Sequence, residues 1–251
     1  MAEQSGAPIT ILWTGGWDST FRVMQALLQE GAVVQPVYLL SRSRPSYRVE
    51  LSRMEKIRAQ LSNFDAEAAP RLLPLRTIEE DAIEPNPAIS TPFAQLRQEY
   101  RLGTQYDVLA RMCRQFGLEN VELSVENAPS GMIKILTSPD GTLATRVSPD
   151  TTPAEAYPVL RDFAFPVAHL TKSDMAEGAE KMGFLALLED TWFCHKAKSD
   201  QPCGRCSPCC QAMERGMSHR LPLRARLIYH LDPRRNGRKL REKLFGRRVL
   251  R

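Results

Sequence analysis

Along the first half of the chain, apolar positions switch between a strand period and a helix period. Pro8-Ile9-Thr10-Ile11-Leu12-Trp13 is a short apolar run with β-branched residues and predicts a buried strand. Thr14-Gly15-Gly16-Trp17 turns the chain. Asp18 to Gln29 then carries Phe21, Val23, Met24, Ala26, Leu27 and Leu28, which predicts a helix stopped at Gly31. Ala32 to Leu40 reads as a second strand, Val49 to Leu61 as a helix with Leu51, Met54, Ile57 and Leu61 on one face, and Arg71 to Ile78 as a third strand. Further on, Tyr106 to Phe116 predicts a helix and Val121 to Val125 a buried strand. Met132 to Thr137 and Thr142 to Val147, either side of Pro139-Asp140-Gly141, predict a β-hairpin. Thr171-Lys172-Ser173-Asp174 leads a helix to Met182, with Gly183 behind it.

Strands alternating with helices predict an α/β fold, a parallel sheet with helices on both faces. At 251 residues, 43% hydrophobic and 25% charged, the chain suits one sizeable domain with a small appendage. No apolar run approaches the length that crosses a bilayer, and Met1 to Pro8 lacks the features of a secretory signal, so the expected location is cytoplasmic.

The chemistry concentrates in two places. The first is the loop Thr14-Gly15-Gly16-Trp17-Asp18-Ser19-Thr20 between strand and helix. Two glycines let the backbone approach a ligand, and Thr14, Ser19 and Thr20 supply hydroxyls. The first amides of the following helix have no intrahelical partner and favour an anion. Asp18 opposes a bare anion but suits Mg²⁺ arriving with phosphates. The loop has neither the Lys-Ser/Thr of a Walker loop nor the third glycine of a dinucleotide fingerprint.

The second place holds five of the six cysteines, Cys194, Cys203, Cys206, Cys209 and Cys210. In a reducing compartment such clustering points to a metal rather than disulfides. Cys194, Cys203, Cys206 and Cys209 offer four thiolates, the closed shell of a structural Zn²⁺ site. His195 and Cys210 each adjoin a ligand and are read as non-ligands, and Cys113 as a small buried residue. A redox Cys-x-x-Cys pair is the competing reading.

The loop resembles the PP-loop, Ser-Gly-Gly-x-Asp-Ser, of ATP pyrophosphatases, with Thr14 in the first place. That resemblance implies an adenine nucleotide α-hydrolase-like, Rossmann-like fold that binds ATP with Mg²⁺. It implies phosphate contacts at Thr14, Gly15, Gly16, Asp18, Ser19 and Thr20, and adenine near Tyr38 to Ser41, with Leu40 at its centre. It also implies a later lysine on the phosphates, matched by Lys172, so that Asp18, Ser19 and Lys172 form the catalytic set. Thr191-Trp192-Phe193-Cys194 and Cys203-Gly204-Arg205-Cys206-Ser207-Pro208-Cys209 sharpen the resemblance to the 7-cyano-7-deazaguanine synthase family, QueC, over residues 8 to 217. The family adenylates 7-carboxy-7-deazaguanine, forms an amide with ammonia, and dehydrates it to the nitrile. The resemblance also allows a homodimer.

This chain departs from the family where substrate is recognised. Leu39-Leu40-Ser41-Arg42 replaces a Tyr-Gly-Gln stretch, Arg101-Leu102-Gly103-Thr104-Gln105 a proline–arginine–asparagine element, and Glu126-Asn127-Ala128-Pro129-Ser130 a Tyr-Pro-Asp-Cys-Arg segment. ATP use and zinc carry over; the carboxylate and the amine are open, and the amine could belong to a protein. Glu126 and Asn127 follow a strand and sit where ligands bind in open α/β sheets, or else cap a loop.

Three segments follow: a nucleotide-binding α/β domain at 1–190, a zinc element packed on it at 191–217, and a basic helical tail at 218–251. The tail holds ten Arg and two Lys against Asp232 and Glu242, a balance of +10 in a chain of +5, which leaves about −5 for the rest. It invites a protein or RNA partner. Two other readings stand beside the synthase-like ligase: a PP-loop tRNA-modifying enzyme of thiolation type, and a non-enzymatic zinc-stabilised RNA-binding module.

Overall fold

The computed structural model describes residues 6–197 and 200–233. Five strands, β1 (Ile9–Leu12), β2 (Val34–Leu40), β3 (Arg76–Glu79), β4 (Val121–Glu122) and β5 (Phe163–Ala164), form one sheet in the order β3-β2-β1-β4-β5, with every neighbouring pair parallel. The helices α1 (Trp17–Leu28), α2 (Tyr47–Phe64), α3 (Pro87–Tyr100), α4 (Gln105–Gln115), α5 (Gly131–Leu136) and α6 (Ala156–Leu160) intervene between the strands. Then come α7 (Lys172–Lys181), α8 (Leu185–Glu189), α9 (Ser207–Glu214) and α10 (Leu223–Leu231). The chain winds outward from β1 to β3, then returns to the far side of β1. The order therefore reverses between β1 and β4, and in open parallel sheets a crevice opens at the carboxyl ends of such a pair.

Alternation along β2 divides the core. Val37 and Leu39 join the cluster built with Ile89, Phe93 and Leu96 of α3 and Met112 and Cys113 of α4. Tyr38, 1% exposed, points the other way and donates its hydroxyl to Glu50 of α2 at 2.6 Å. The Phe21 and Phe184 rings lie 5.9 Å apart, which joins α1 to the start of α8. Arg22 of α1 donates to both oxygens of Glu122 in β4, at 2.7 and 3.0 Å, and to Glu30. Burial pulls the Arg22 guanidinium down, but its bonds to the two glutamates outweigh that and leave its pKa raised. α1 is thus fastened to β4, one of the two strands that bound the crevice.

The described residues fall into two compact units, one within 1–43 and 50–192, the other within 44–49 and 193–251. The first contains the sheet. In the second, α9 and α10 accompany the cysteine segment. Most of the basic tail, 234–251, lies outside the described residues. Among the described residues no helix is long and apolar enough to cross a membrane.

Several expectations need correction. The third strand begins only at Arg76, because Ala69–Arg71 is a 3-10 turn. The fourth ends at Glu122. The first arm of the expected hairpin is the helix α5: Ser130 caps it by accepting from the Ile133 amide at 3.3 Å, and Met132, Ile135 and Leu136 bury at helical spacing. The Asp140-Gly141 turn itself forms, with Ser138 N–H on Thr142 O at 2.8 Å. Helix α3 stands where the apolar pattern predicts no element; Asn86 caps it and Pro87 opens it.

Candidate functional site

The loop after β1 forms because Gly15 takes φ +66°, a conformation that L side chains resist. A Cβ there would also meet Glu50 O at 3.0 Å and Met54 Cγ at 3.1 Å. Thr14 and Ser19 close the turn across its neck, their hydroxyls 3.2 Å apart, and the Gly16 amide reaches Thr14 Oγ1 at 3.4 Å. The first bond of α1 runs from Thr20 N–H to Gly16 O, at 3.0 Å. The amides of Trp17, Asp18 and Ser19 therefore stand ahead of the ladder, and the helix dipole favours an anion beside them. Thr14 is exposed and Asp18 half-buried, while Ser19 is 7% exposed.

Thr20 belongs elsewhere. It is fully buried, and its hydroxyl accepts the Trp13 indole N–H at 3.0 Å. It shares the buried face of α1 with Met24 and Leu27, so its hydroxyl is turned away from the loop surface. Leu40 ends β2 at 6% exposure, in register with Glu79. Its side chain is core, and what it offers a ligand is main chain.

Three charged side chains converge at the switch point. Lys172 Nζ pairs with Asp18 and lies 3.6 Å from Glu126 Oε2. Asp18 comes from the start of α1, Glu126 from the segment after β4, and Lys172 from the first position of α7. A capping box fixes that first turn: Thr171 accepts from the Asp174 amide at 3.2 Å, and Asp174 accepts from the Thr171 amide at 2.8 Å. The Thr171 amide bond holds the Asp174 carboxyl below its ordinary range. The Asn127 amide donates to Leu170 O at 2.8 Å, which ties the Glu126 segment to the Lys172 segment. Glu126 is thus a member of the cluster, whereas Asn127 serves the loop. Ser124, just upstream, has a buried hydroxyl without a hydrogen-bond partner among the described residues.

The pattern of side chains gave no sign of what backs the loop. The Trp192 amide donates to Gly15 O at 2.8 Å, and a Cβ on Gly16 would meet Trp192 O at 3.5 Å. The Arg53 guanidinium sits 5.8 Å from the centre of the Trp192 ring. Two residues earlier, Asp190 accepts from Lys56 at 2.7 Å. Burial pushes the Asp190 carboxyl up, but hydrogen bonds from Lys56 and Gln60 prevail and lower its pKa. A depressed folded-state pKa contributes stability above the unfolded value of about 4, lost as pH falls through the folded one. Asp190→Asn should therefore lower stability by about 1 kcal/mol at pH 7. Denaturant melts of the two proteins should converge as the pH drops below about 4.

The cysteine cluster lies in the second unit. All four sulfurs of Cys194, Cys203, Cys206 and Cys209 fall within 4.8 Å of one another. Measured pairs are 3.4 Å (206–209), 3.8 Å (194–206) and 3.9 Å (203–209). A Zn²⁺ tetrahedron with 2.3 Å bonds has edges of roughly 3.8 Å. The donor set fits that ion. Amides of Arg205 and Cys206 point at Cys203 Sγ, at 3.4 and 3.3 Å, and the Cys203 amide points at Cys194 Sγ at 3.2 Å. Such donors stabilise thiolates. Hydrogen bonding with Cys206 pushes the Cys194 thiol up to about 12, while the Cys206 thiol is drawn down by the same sharing. Gly204 makes the knuckle possible at φ +72°, where a Cβ would lie 2.2 Å from Ala225 O. Cys210 turns its sulfur to Arg205 O at 3.7 Å, and His195 is exposed outside the group. Cys113 is buried in the core, and burial pushes its thiol up to about 12.

Residues 156–219 match the model of a family described as queuosine biosynthesis protein QueC. No curated protein matches significantly. Among solved structures, the chain is similar to the crystal structure of a 4-thiouridine synthetase–RNA complex with bound ATP, at 13% identity and a TM-score of 0.38, over 86% of this chain and 50% of that one. The chain thus spans half the length of that protein. The α/β chain is QueC-like over residues 156–219, the stretch that carries Lys172 and the four clustered cysteines, and the loop at Thr14–Ser19 lies ahead of that stretch.

Proposed function

We propose that the chain is an ATP-dependent synthase that adenylates a carboxylate, 7-carboxy-7-deazaguanine or an analogue, for attack by ammonia or another amine. One observation carries this: Asp18 and Glu126 both meet Lys172 beside the first turn of α1, at the point where the strand order reverses. That arrangement supports holding a triphosphate, with the amides of residues 17–19 and the Thr14 and Ser19 hydroxyls on its oxygens. Lys172 supplies positive charge next to it. Asp18 would hold Mg²⁺ bound with the phosphates, which offsets the charge on departing pyrophosphate.

A substrate carboxylate oxygen attacks the α-phosphorus, the bond to the bridging oxygen breaks, and pyrophosphate leaves with that electron pair. The amine nitrogen then attacks the acyl carbon of the mixed anhydride. AMP departs and the nitrogen gives up a proton to solvent, leaving an amide. Zinc on the four cysteines has no open position and would serve the fold.

The first step is reversible, so labelled pyrophosphate should enter ATP when the right carboxylate is present and stay out when it is omitted. Exchange with no carboxylate in the panel, alongside ADP formation, would overturn the proposal.

A further inference from the structure

The second unit contains a groove that runs beside the metal cluster, with Cys203 in its wall. A cavity of about 250 Å³ lies between the knuckle loop and α10, floored by Pro202, Pro222, Ala225 and Ile228. Lys196, Arg205 and Arg224 line it, all three exposed. None of them forms an ion pair among the described residues. A second cavity of about 500 Å³ continues it, sharing Arg205 and Ile228 and reaching Leu231, which is 73% exposed. Among the described lining residues the one carboxylate is Asp232, which is 7% exposed. The groove therefore offers an apolar floor under uncompensated positive charge.

Charge and shape select the occupant. The chain's own residues 234–251 carry seven Arg and two Lys against Glu242, so like charge disfavours them in this groove. Single-stranded nucleic acid binds through bases stacked on aromatic rings. Among the described residues, no aromatic side chain lines either cavity. An aliphatic floor with cations along it suits carboxylates flanking an apolar side chain. We propose that this groove docks an acidic peptide segment bearing a leucine-sized apolar side chain, supplied by a partner protein. The inference does not depend on the ATP reading, since it uses no residue of the phosphate loop.

The test uses the full chain and a fluorescein-labelled peptide of about twelve residues, mainly glutamate, with two central photo-leucines. Binding read by anisotropy should weaken at least about tenfold in the R205E/R224E double variant, because both charges are reversed. Replacing the photo-leucines by serine should weaken it several-fold. Photo-crosslinks should map to residues 200–205 and 222–231. Crosslinks confined to 234–251, unchanged affinity in the double variant, or tighter binding of a uridine dodecamer lost in the same variant would each overturn the proposal. So would the absence of peptide binding at millimolar concentration. Zinc content and the melting temperature of the double variant, expected unchanged, show that the reversed charges act on binding.

Discussion

Asp18→Ala should abolish carboxylate-dependent release of AMP and pyrophosphate, a loss of about a thousandfold or more. Asp18 belongs to a cluster in which three parts of the fold meet at Lys172. It stands in the first turn of α1 and pairs with Lys172 from beyond β5. Glu126, from beyond β4, reaches the same lysine. Removing it takes away the carboxylate that would hold the phosphates' metal and frees Lys172 to turn toward Glu126. The backbone turn stays, because Gly15, Thr14 and Ser19 build it without the Asp18 side chain. The variant should therefore melt like the parent while its turnover disappears. Turnover within tenfold of the parent would remove Asp18 from the machinery. A collapsed melt would assign it to the fold instead.

Cys206→Ser should cost the protein its metal and the order of its second unit. Cys206 caps α9 and stands closest to its neighbours, 3.4 Å from Cys209 and 3.8 Å from Cys194. Binding free energy at a structural zinc is folding free energy, on the order of ten kcal/mol, so losing one of four thiolates removes a large share of it. The measurement is metal content beside thermal unfolding: about one zinc per chain in the parent, little in the variant, with poor solubility. Cys210→Ser is the control, since its sulfur faces Arg205 O, and it should keep both metal and melt. A Cys206→Ser protein that is folded, soluble and metal-free would contradict the structural role.

The chemistry legible in the sequence was local. The strand, the Gly-Gly turn and the helix with Asp18 and Ser19 lie within one short stretch, so their order suffices to predict a phosphate loop. The cysteines advertise themselves by spacing. Lys172 was legible only through the family resemblance, because 154 residues separate it from its partner Asp18. Trp192 backs the loop through its main chain, and a backbone bond leaves no mark on the pattern of side chains. Thr20 shows how a local motif misleads. Its hydroxyl looks like a phosphate ligand, but the helical period places it with Met24 and Leu27, facing the core. The α5 helix failed for a related reason. Met132, Ile133, Ile135 and Leu136 satisfy both periods over six residues, and the Ser130 cap decides between them.

A crystal soaked with α,β-methylene-ATP and Mg²⁺ tests most directly whether the early loop binds a nucleotide. The expected density places the phosphates within hydrogen-bond reach of the amides of residues 17–19, with Lys172 and Asp18 against them and adenine beside the end of β2. Ordered nucleotide elsewhere, or a loop left bare at saturating nucleotide, would contradict it.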